Sequence, residues 1–290
     1  MSQRLRTRFA VVTDLHLGST REGSWHNRFL TDHPEETAAA AMDAINADAP
    51  DFTLILGDLT DTASDAELQL ARETLDQLTM PWIVCRDNHD VTAEGDRAPF
   101  DRVFGDRAPV GLVPSGVLPL PDSVAVAALD AEWGQDDGRW WVNVFAEQVD
   151  AIHTGLSASR PDLLIVACHF PFVRQSEHIR TAAPTGRNAG TLTYGERTIA
   201  ALAGEGYRTL FLTGHQHFHH IVESGADEPA WLHVTTASLV EFPAEYRLIE
   251  VDGGTLSITT HPAAPATVAA VSPDVTWVRG RNEDREMRWE

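Results

Sequence analysis

The stretch Phe9-Ala-Val-Val-Thr-Asp-Leu-His16 joins an apolar, strand-forming run to an Asp-x-His cluster, and Phe52-Thr-Leu-Ile-Leu-Gly-Asp58 repeats the arrangement with Gly-Asp. Near-continuous hydrophobicity of this length is typical of a strand that is covered on both faces. Three further runs of the same kind lie at residues 82–85, 163–167 and 209–213. The chain is therefore predicted to contain five buried strands.

Helical periodicity appears between these strands. Apolar residues three or four positions apart mark amphipathic helices around residues 38–45, 68–78 and 145–156. Pro34 suits the first turn of the first of them. Alternating strands and helices predict an α/β fold with a largely parallel central sheet. Additional strands, expected to be antiparallel, are predicted at residues 124–129, 231–235, 246–251 and 255–260.

Side chains able to bind metals follow each of the five buried strands. They are Asp14, His16, Asp58, Asn88, His169, His215 and His217. The carboxyl ends of strands in an open α/β sheet border a common crevice, so we expect these side chains to converge. Together they offer enough oxygen and nitrogen ligands for two divalent metals, the usual apparatus for hydrolysing a phosphate ester.

Composition restricts the classes of partner. The net charge is −21 and the isoelectric point is about 4.9, and all 22 basic residues are arginine. This balance argues against general nucleic-acid binding and against binding to a membrane surface. Bound divalent cations would offset the charge locally, so a small anionic phosphoester remains a suitable substrate.

The sequence also predicts where the protein is located and how many domains it has. Two cysteines make no disulfide framework, residues 1–13 lack the apolar run of a signal peptide, and no span approaches a transmembrane helix. We therefore expect a cytoplasmic protein. One domain is predicted over residues 1–261, followed by an Ala/Pro-rich and then charged extension, residues 262–290. This extension has three open placements: along the domain edge, across to the partner of a homodimer, or partly loose.

In order, the clusters resemble the signature of the calcineurin-like metallophosphoesterase superfamily, which runs Asp-x-His, Gly-Asp, Gly-Asn-His-Asp/Glu, His and Gly-His-x-His. The resemblance covers residues 8–251. Within the superfamily, residues 50–61 and the sequence His169-Phe-Pro171 look most like the class III cyclic-nucleotide phosphodiesterases. The resemblance implies a four-layer α/β/β/α sandwich, in which two mixed sheets are flanked by helices.

The resemblance also implies a ligand set. One metal would be bound by Asp14, His16, Asp58 and His217, and the other by Asp58, Asn88, His169 and His215, with Asp58 bridging. Imidazole, carboxylate and amide ligands suit Mn, Fe or Zn. A hydroxide held between the metals would attack phosphorus. His89 would contact the phosphate and assist the leaving oxygen as the catalytic hydrogen-bond donor or general acid.

One position departs from the family pattern. Asp87 stands where the family has Gly before the Asn. Its carboxylate could add a ligand or strengthen cation binding at the second metal, or its bulk could displace Asn88. Asp61 and Asp90 either orient a histidine or are solvated turn carboxylates.

Substrate contacts are predicted in two long segments, residues 19–32 and 174–193, because loops of this length are often functional. Arg28 and Arg174 could bind a phosphate and Trp25 could stack on a base, although ordinary surface packing is the alternative for each. We expect hydrolysis of phosphodiesters, with cyclic nucleotides as a subset. The rival functions are a phosphomonoesterase or nucleotide pyrophosphatase with the same site, and a non-catalytic scaffold with this fold.

Overall fold

The computed structural model describes residues 6–19, 33–107, 117–120, 123–182, 190–204, 206–271 and 276–290. Its first sheet has six strands in the spatial order β14-β13-β12-β1-β2-β3. Their bounds are β1 Arg6–Val12, β2 Phe52–Ile55, β3 Trp82–Val84, β12 Glu245–Asp252, β13 Thr255–Pro262 and β14 Met287–Trp289. Strands β1, β2 and β3 run parallel, and β12, β13 and β14 continue the sheet antiparallel.

The second sheet also has six strands, in the order β10-β11-β9-β8-β5-β4. Their bounds are β4 Val117–Leu120, β5 Val124–Ala128, β8 Leu163–Ala167, β9 Arg208–Thr213, β10 His220–Glu223 and β11 Trp231–Thr235. A separate hairpin consists of β6 Glu132–Asp136 and β7 Arg139–Asn143. The sequence analysis did not predict this hairpin, whose strands are largely exposed or half-buried.

Eight α-helices complete the described part of the chain. They are α1 Pro34–Asp48, α2 Asp65–Leu75, α3 Ala98–Phe104, α4 Ala146–Ser159, α5 Glu177–Ala182, α6 Gly195–Leu202, α7 Ala266–Val271 and α8 Thr276–Arg279. Helix α2 begins with a capping box, in which Ser64 and Glu67 satisfy each other's backbone N–H groups. None of the helices described is both long enough and apolar enough to cross a bilayer.

Alternation along the strands produces the layers. Phe9 and Val11 of β1 belong to the core between the two sheets, whereas Ala10 and Val12 pack beneath α1, α2 and α3. In β8, Leu163 and Ile165 face the intersheet core, and the alternate residues pack against α4 and α6. Because side chains alternate between faces, covering both faces requires continuous apolar strands. The predicted four-layer α/β/β/α sandwich is confirmed.

Two of the strands predicted to be antiparallel, β5 and β11, each have one parallel neighbour, so the prediction was wrong for that side of each strand. Strand β5 pairs antiparallel with β4 but parallel with β8, and β11 pairs antiparallel with β10 but parallel with β9. The connection from β5 to β8 contains the hairpin and α4, which is long enough for the crossover that parallel strands require.

The C-terminal segment contributes to the first sheet. Strand β14 pairs with β13, and Arg285 forms a bidentate ion pair with Glu245 on β12. The buried Arg247 donates to the carbonyl oxygens of Thr235 and Asp284. Residues 282–290 therefore lie along the edge of the sandwich.

Two buried histidines outside the predicted ligand set, His233 on β11 and His219 just before β10, are held neutral. The Nε2 atom of His233 accepts a hydrogen bond from the backbone N–H of Phe172, and burial lowers the pKa of His233 to about 3. The Nδ1 atom of His219 accepts from the N–H of Ala237, and burial lowers the pKa of His219 to about 4. An unfolded histidine titrates near 6.5, so the unfolded chain binds these protons first. The contribution of these two histidines to the free energy of unfolding is therefore fully present above pH 6.5. It is lost as the pH falls towards 4 for His219 and towards 3 for His233.

His233→Gln is expected to reduce this acid sensitivity, since the glutamine carbonyl can accept the Phe172 N–H bond without titrating. Each such histidine costs about 1.4 kcal/mol of stability per pH unit in this window. Urea unfolding of metal-free protein at pH 7, 6 and 5 measures the slope. Equal slopes for wild type and variant would contradict the assignment, and contributions from other groups cancel in the comparison.

Candidate metal centre

The predicted ligands all lie near the carboxyl ends of strands. Asp14 and His16 follow β1, Asp58 follows β2, Asn88 follows β3, His169 follows β8, and His215 and His217 follow β9. Backbone hydrogen bonds join the loops that carry them. The N–H of Asp14 donates to the carbonyl of Gly57 at 3.1 Å, and the N–H of Gly214 donates to the carbonyl of His169 at 2.9 Å. The backbone N–H of His215 donates to Oδ2 of Asp14 at 3.1 Å, so the loops of both sheets meet at one place.

The backbone of these loops is unusual. Asp14, His16, Asp58, His215 and His217 all have left-handed conformations, with φ between 44° and 66°. Non-glycine residues adopt this region at an energetic cost and tend to do so where surrounding structure or function requires it. Five such residues in the loops that carry the predicted ligands are typical of a functional site.

Gly57 allows two of these loops to approach closely. Its φ is +95°, and a Cβ atom there would lie 2.8 Å from Cβ of Asp87 and 3.0 Å from Nδ1 of His169. A side chain would therefore be strained in conformation and would also clash with both neighbours. The glycine of the Gly-Asp motif is explained by this approach.

The first cluster contains Asp14, His16, Asp58 and His217, whose donor atoms all lie within 4.8 Å of one another. The Nε2 atom of His217 is 2.9 Å from Oδ1 of Asp14, and Nε2 of His16 is 3.6 Å from Oδ2 of Asp58. All four side chains are buried. These are the residues predicted for the first metal.

The second cluster contains Asp58, Asp87, His169 and His215, also with donor atoms within 4.8 Å. The Nε2 atom of His169 is 3.4 Å from Oδ2 of Asp58 and 3.2 Å from Nδ1 of His215. Asp58 belongs to both clusters, and the same oxygen, Oδ2, faces His16 and His169. One buried carboxylate is thus within reach of two cations.

The electrostatics of the site favour ionised carboxylates. Burial acts to raise the pKa of Asp58, but the positive charge of His169 and His89 outweighs it and holds that pKa well below its usual value. Burial likewise acts to raise the pKa of Asp14, and the His217 and His169 imidazoles lower it. Burial lowers the pKa of His16 to about 3, which leaves its imidazole neutral. Burial acts to lower the pKa values of His169 and His217, but neighbouring carboxylates outweigh it and raise both. Metal ions bind neutral imidazoles and ionised carboxylates, so metal binding would displace protons from these two rings.

Unsatisfied polar atoms test whether these residues fit metal ions. Oδ1 of Asn88 and Oδ1 of Asp87 are buried and make no hydrogen bond within the described chain. Buried polar atoms normally have partners, so two unsatisfied oxygens beside imidazole nitrogens indicate a cation site. The mixture of carboxylate, amide and imidazole suits Mn, Fe or Zn. The residues therefore fit the predicted pair of metals.

His89 lies beside the clusters. Its Nδ1 donates to the carbonyl oxygen of Asp61 at 2.8 Å, its ring packs edge-on to His16 with centroids 4.8 Å apart, and its backbone N–H donates to Oδ1 of Asp58 at 3.1 Å. Because a carbonyl can only accept, Nδ1 carries the proton of the neutral ring. His89, His16 and Asp61 also form a third group of adjacent donors.

The solvated-turn interpretation of Asp61 and Asp90 was wrong. Asp61 is 8% exposed, and its Oδ1 lies 3.8 Å from Nδ1 of His89. Asp90 is fully buried and accepts from the backbone N–H groups of Leu59 and Thr60. Burial raises the pKa of Asp90 well above its usual value. Asp90 therefore ties the loop after β2 to the loop after β3.

The structure adds Glu241, which the sequence analysis did not select. Its Oε2 accepts a hydrogen bond from Nδ1 of His217 at 2.7 Å, and the carboxylate is fully buried. This bond fixes the His217 tautomer and directs Nε2 towards Asp14. The available signal was weak: a single acid within the apolar run Leu239-Val-Glu-Phe242.

Glu241→Gln is expected to weaken metal binding by about 10- to 100-fold, the usual effect of losing an outer carboxylate that orients a histidine ligand. Calorimetric titration of chelator-stripped protein with Mn²⁺ measures this. The matched control is Glu223→Gln, an exposed acid at the end of β10. Wild-type affinity in the Glu241 variant would show that His217 does not need this carboxylate.

The predicted substrate residues have different outcomes. Trp25 and Arg28 lie outside the described residues. Arg174 lines a cavity of about 620 Å³ together with Trp140, Tyr194 and Gly190. A Cβ atom at Gly190 would overlap the His215 ring, so this cavity adjoins the second cluster. Trp140, on the unpredicted hairpin, is 72% exposed.

Comparisons with known proteins agree with this geometry. A family model described as calcineurin-like phosphoesterase matches residues 7–219. No curated protein matches the chain.

Solved structures share the fold at low sequence identity. A dimetal phosphatase from Danio rerio is 12% identical with a TM-score of 0.69, and the alignment covers 89% of this chain and 96% of that one. Purple acid phosphatase PPD1 from yellow lupin seeds is 12% identical with a TM-score of 0.57, covering 90% and 52%. The protein TT1561 of Thermus thermophilus is 11% identical with a TM-score of 0.52, covering 86% and 99%.

Proposed function

The chain belongs to the calcineurin-like phosphoesterase family, and we propose that it hydrolyses phosphodiesters with a pair of divalent metal ions. One observation carries the proposal: Oδ2 of the buried Asp58 lies 3.6 Å from Nε2 of His16 and 3.4 Å from Nε2 of His169. A carboxylate placed between two ligand clusters suits a dinuclear site. The cyclic-nucleotide subgroup remains a prediction.

The two ions, when bound, would supply the positive charge that polarises the phosphoryl oxygens and activates water. The protein's own part is positioning. Glu241 directs Nε2 of His217 into the first cluster, and the carbonyl of Leu56 accepts from Nδ1 of His169 at 2.7 Å and so directs Nε2 of His169 into the second. Fixed ligands lower the cost of organising the site during the reaction.

His89 is proposed to serve the leaving group. Its Nδ1–H bond to the Asp61 carbonyl fixes the orientation of the ring. A protonated Nε2 would donate to the departing oxygen and so stabilise the negative charge that develops there. No metal need be displaced for this role, because His89 belongs to neither main cluster.

The cavity beside His215 supports a diester over a monoester. A diester carries a second organic group, which needs space and apolar surface next to the reacting phosphorus. Trp140 and Tyr194 supply aromatic surface there, and Arg174 and Arg197 supply cations. Stacking and cation–π contacts would hold a base or another aromatic group.

Phosphomonoesters are the alternative substrates, since two of the structural neighbours are named as phosphatases. Mn²⁺-loaded protein should be assayed side by side on bis-p-nitrophenyl phosphate, p-nitrophenyl phosphate and cyclic AMP. We expect kcat/KM for the diester to exceed that for the monoester by at least about tenfold, equal to about 1.4 kcal/mol. Preference for the monoester would support the alternative, and no turnover of any substrate would support a scaffold.

A further inference from the structure

Asp87 occupies a position that the family signature gives to glycine, and its backbone does not require one. Its φ is −149° and ψ is −168°, an extended conformation open to any residue. Only 2% of the residue is exposed. The Asp87 side chain fits because Gly57 has no side chain of its own. A Cβ at Gly57 would lie 2.8 Å from Cβ of Asp87. The structure thus accommodates a carboxylate in the second cluster without backbone strain.

The contact between Asp87 and His169 places two possible ligand atoms side by side. Oδ2 of Asp87 lies 2.5 Å from Nε2 of His169. Nδ1 of His169 bonds the carbonyl of Leu56, which can only accept, so Nδ1 carries the proton of the neutral ring. In the neutral form that binds metal, Nε2 of His169 therefore offers a lone pair on the side where Oδ2 of Asp87 lies. Two such donor atoms side by side can be ligands of the same cation.

The surroundings of the second cluster favour a metal cation. Asp58 and Asp87 both lie within 4.8 Å of the donor atoms of His169 and His215. The neighbouring guanidinium, Arg86, forms ion pairs with Asp101 and Asp130. Arg86 is therefore already paired, and two buried carboxylates grouped around the same imidazoles favour a cation at their centre.

We propose that Asp87 is an additional ligand of the second metal ion, an inference that rests on the proposed dinuclear function. The second position then has oxygen donors from Asp58, Asp87 and Asn88 and nitrogen donors from His169 and His215. Five protein ligands, mostly oxygens, suit a six-coordinate ion such as Mn²⁺ better than tetrahedral Zn²⁺. The first position, with two carboxylates and two imidazoles, lacks this extra donor.

Removal of the carboxylate tests the proposal. Asp87→Asn keeps the shape, and Asp87→Gly introduces the residue of the family signature at a backbone conformation that it readily adopts. Asp43→Asn, on the exposed face of α1, is the matched control. Chelator-stripped full-length proteins are titrated calorimetrically with Mn²⁺. Circular dichroism of the metal-free proteins confirms folding.

We expect wild type and the Asp43 variant to bind two Mn²⁺ ions, and both Asp87 variants to bind the second ion at least about tenfold more weakly with the first unchanged. Electron paramagnetic resonance at equal Mn²⁺ loading should show less of the coupled Mn pair in the variants. Unchanged affinity for the second ion, with lower stability of the metal-free variants, would overturn the proposal and leave Asp87 as the partner of a protonated His169.

Failure of this inference differs from failure of the proposed function. A wild-type protein that binds two ions and hydrolyses diesters, with Asp87 variants of unchanged affinity, rejects only the additional ligand. If wild type binds two ions and the Asp87 variants bind the second ion more weakly, but wild type hydrolyses no ester, then Asp87 is a ligand and the enzymatic proposal is rejected.

Discussion

The Asp58→Asn variant is expected to lose the paired metal site and to lower kcat/KM by at least about a thousandfold, equal to about 4 kcal/mol of transition-state stabilisation. Asp58 is 1% exposed and is the one residue shared by the two main clusters. Asparagine preserves the volume but removes the charge, and its NH₂ group repels a cation. Elemental analysis of protein purified without chelator, followed by the diester assay, measures both effects.

Asp43→Asn again provides the control, because it removes the same charge from an exposed helix face. It should retain two ions per chain and the wild-type rate. An Asp58 variant that kept two ions and most of its turnover would contradict the bridging role. Loss of ions without loss of rate would show that hydrolysis does not depend on the pair.

The His89→Ala variant is expected to keep both ions and to lower kcat by about 10²- to 10⁴-fold, the range for loss of a general acid. The geometry separates the two effects, since His89 lies outside the two main clusters and its ring is held by the Asp61 carbonyl. The loss should be smaller for bis-p-nitrophenyl phosphate than for cyclic AMP, because p-nitrophenolate needs little help in leaving.

His153→Ala is a suitable control, since His153 is an exposed residue of α4. Equal turnover of wild type and the His89 variant on both diesters would remove His89 from the catalytic machinery. A large loss of metal from the His89 variant would instead assign it to the third donor group, with His16 and Asp61.

The five buried strands and their sequence of donor clusters could be predicted because the signals are local. Continuous apolar runs report strands covered on both faces, and residues such as Asp14 and His169 follow those runs directly. Parallel pairing brings the ends of β1, β2 and β3 to one edge of the first sheet and those of β8 and β9 to one edge of the second. Convergence of the two groups also depends on how the two sheets pack, which the order along the chain does not encode.

Other features depend on residues far apart in sequence. Three contacts join segments between 24 and 82 positions apart: the pairing of β5 with β8, the hydrogen bond from His217 to Glu241, and the contact of Asp87 with His169. No local periodicity encodes such contacts. The exposed β6–β7 hairpin lacks a buried face, so its alternation carries little hydrophobic signal.

Asp87 shows most clearly what the sequence determines and what only the folded structure decides. Its position before Asn88 marks a departure from the signature, but the sequence permits three outcomes: added ligation, stronger cation binding or displacement of Asn88. The folded chain shows an extended backbone, a gap left by Gly57 and a carboxylate oxygen 2.5 Å from His169. Residue identity along the chain establishes which donors exist, whereas burial and interatomic distance establish which of them can share a cation, because ligand bonds act only over a few ångströms.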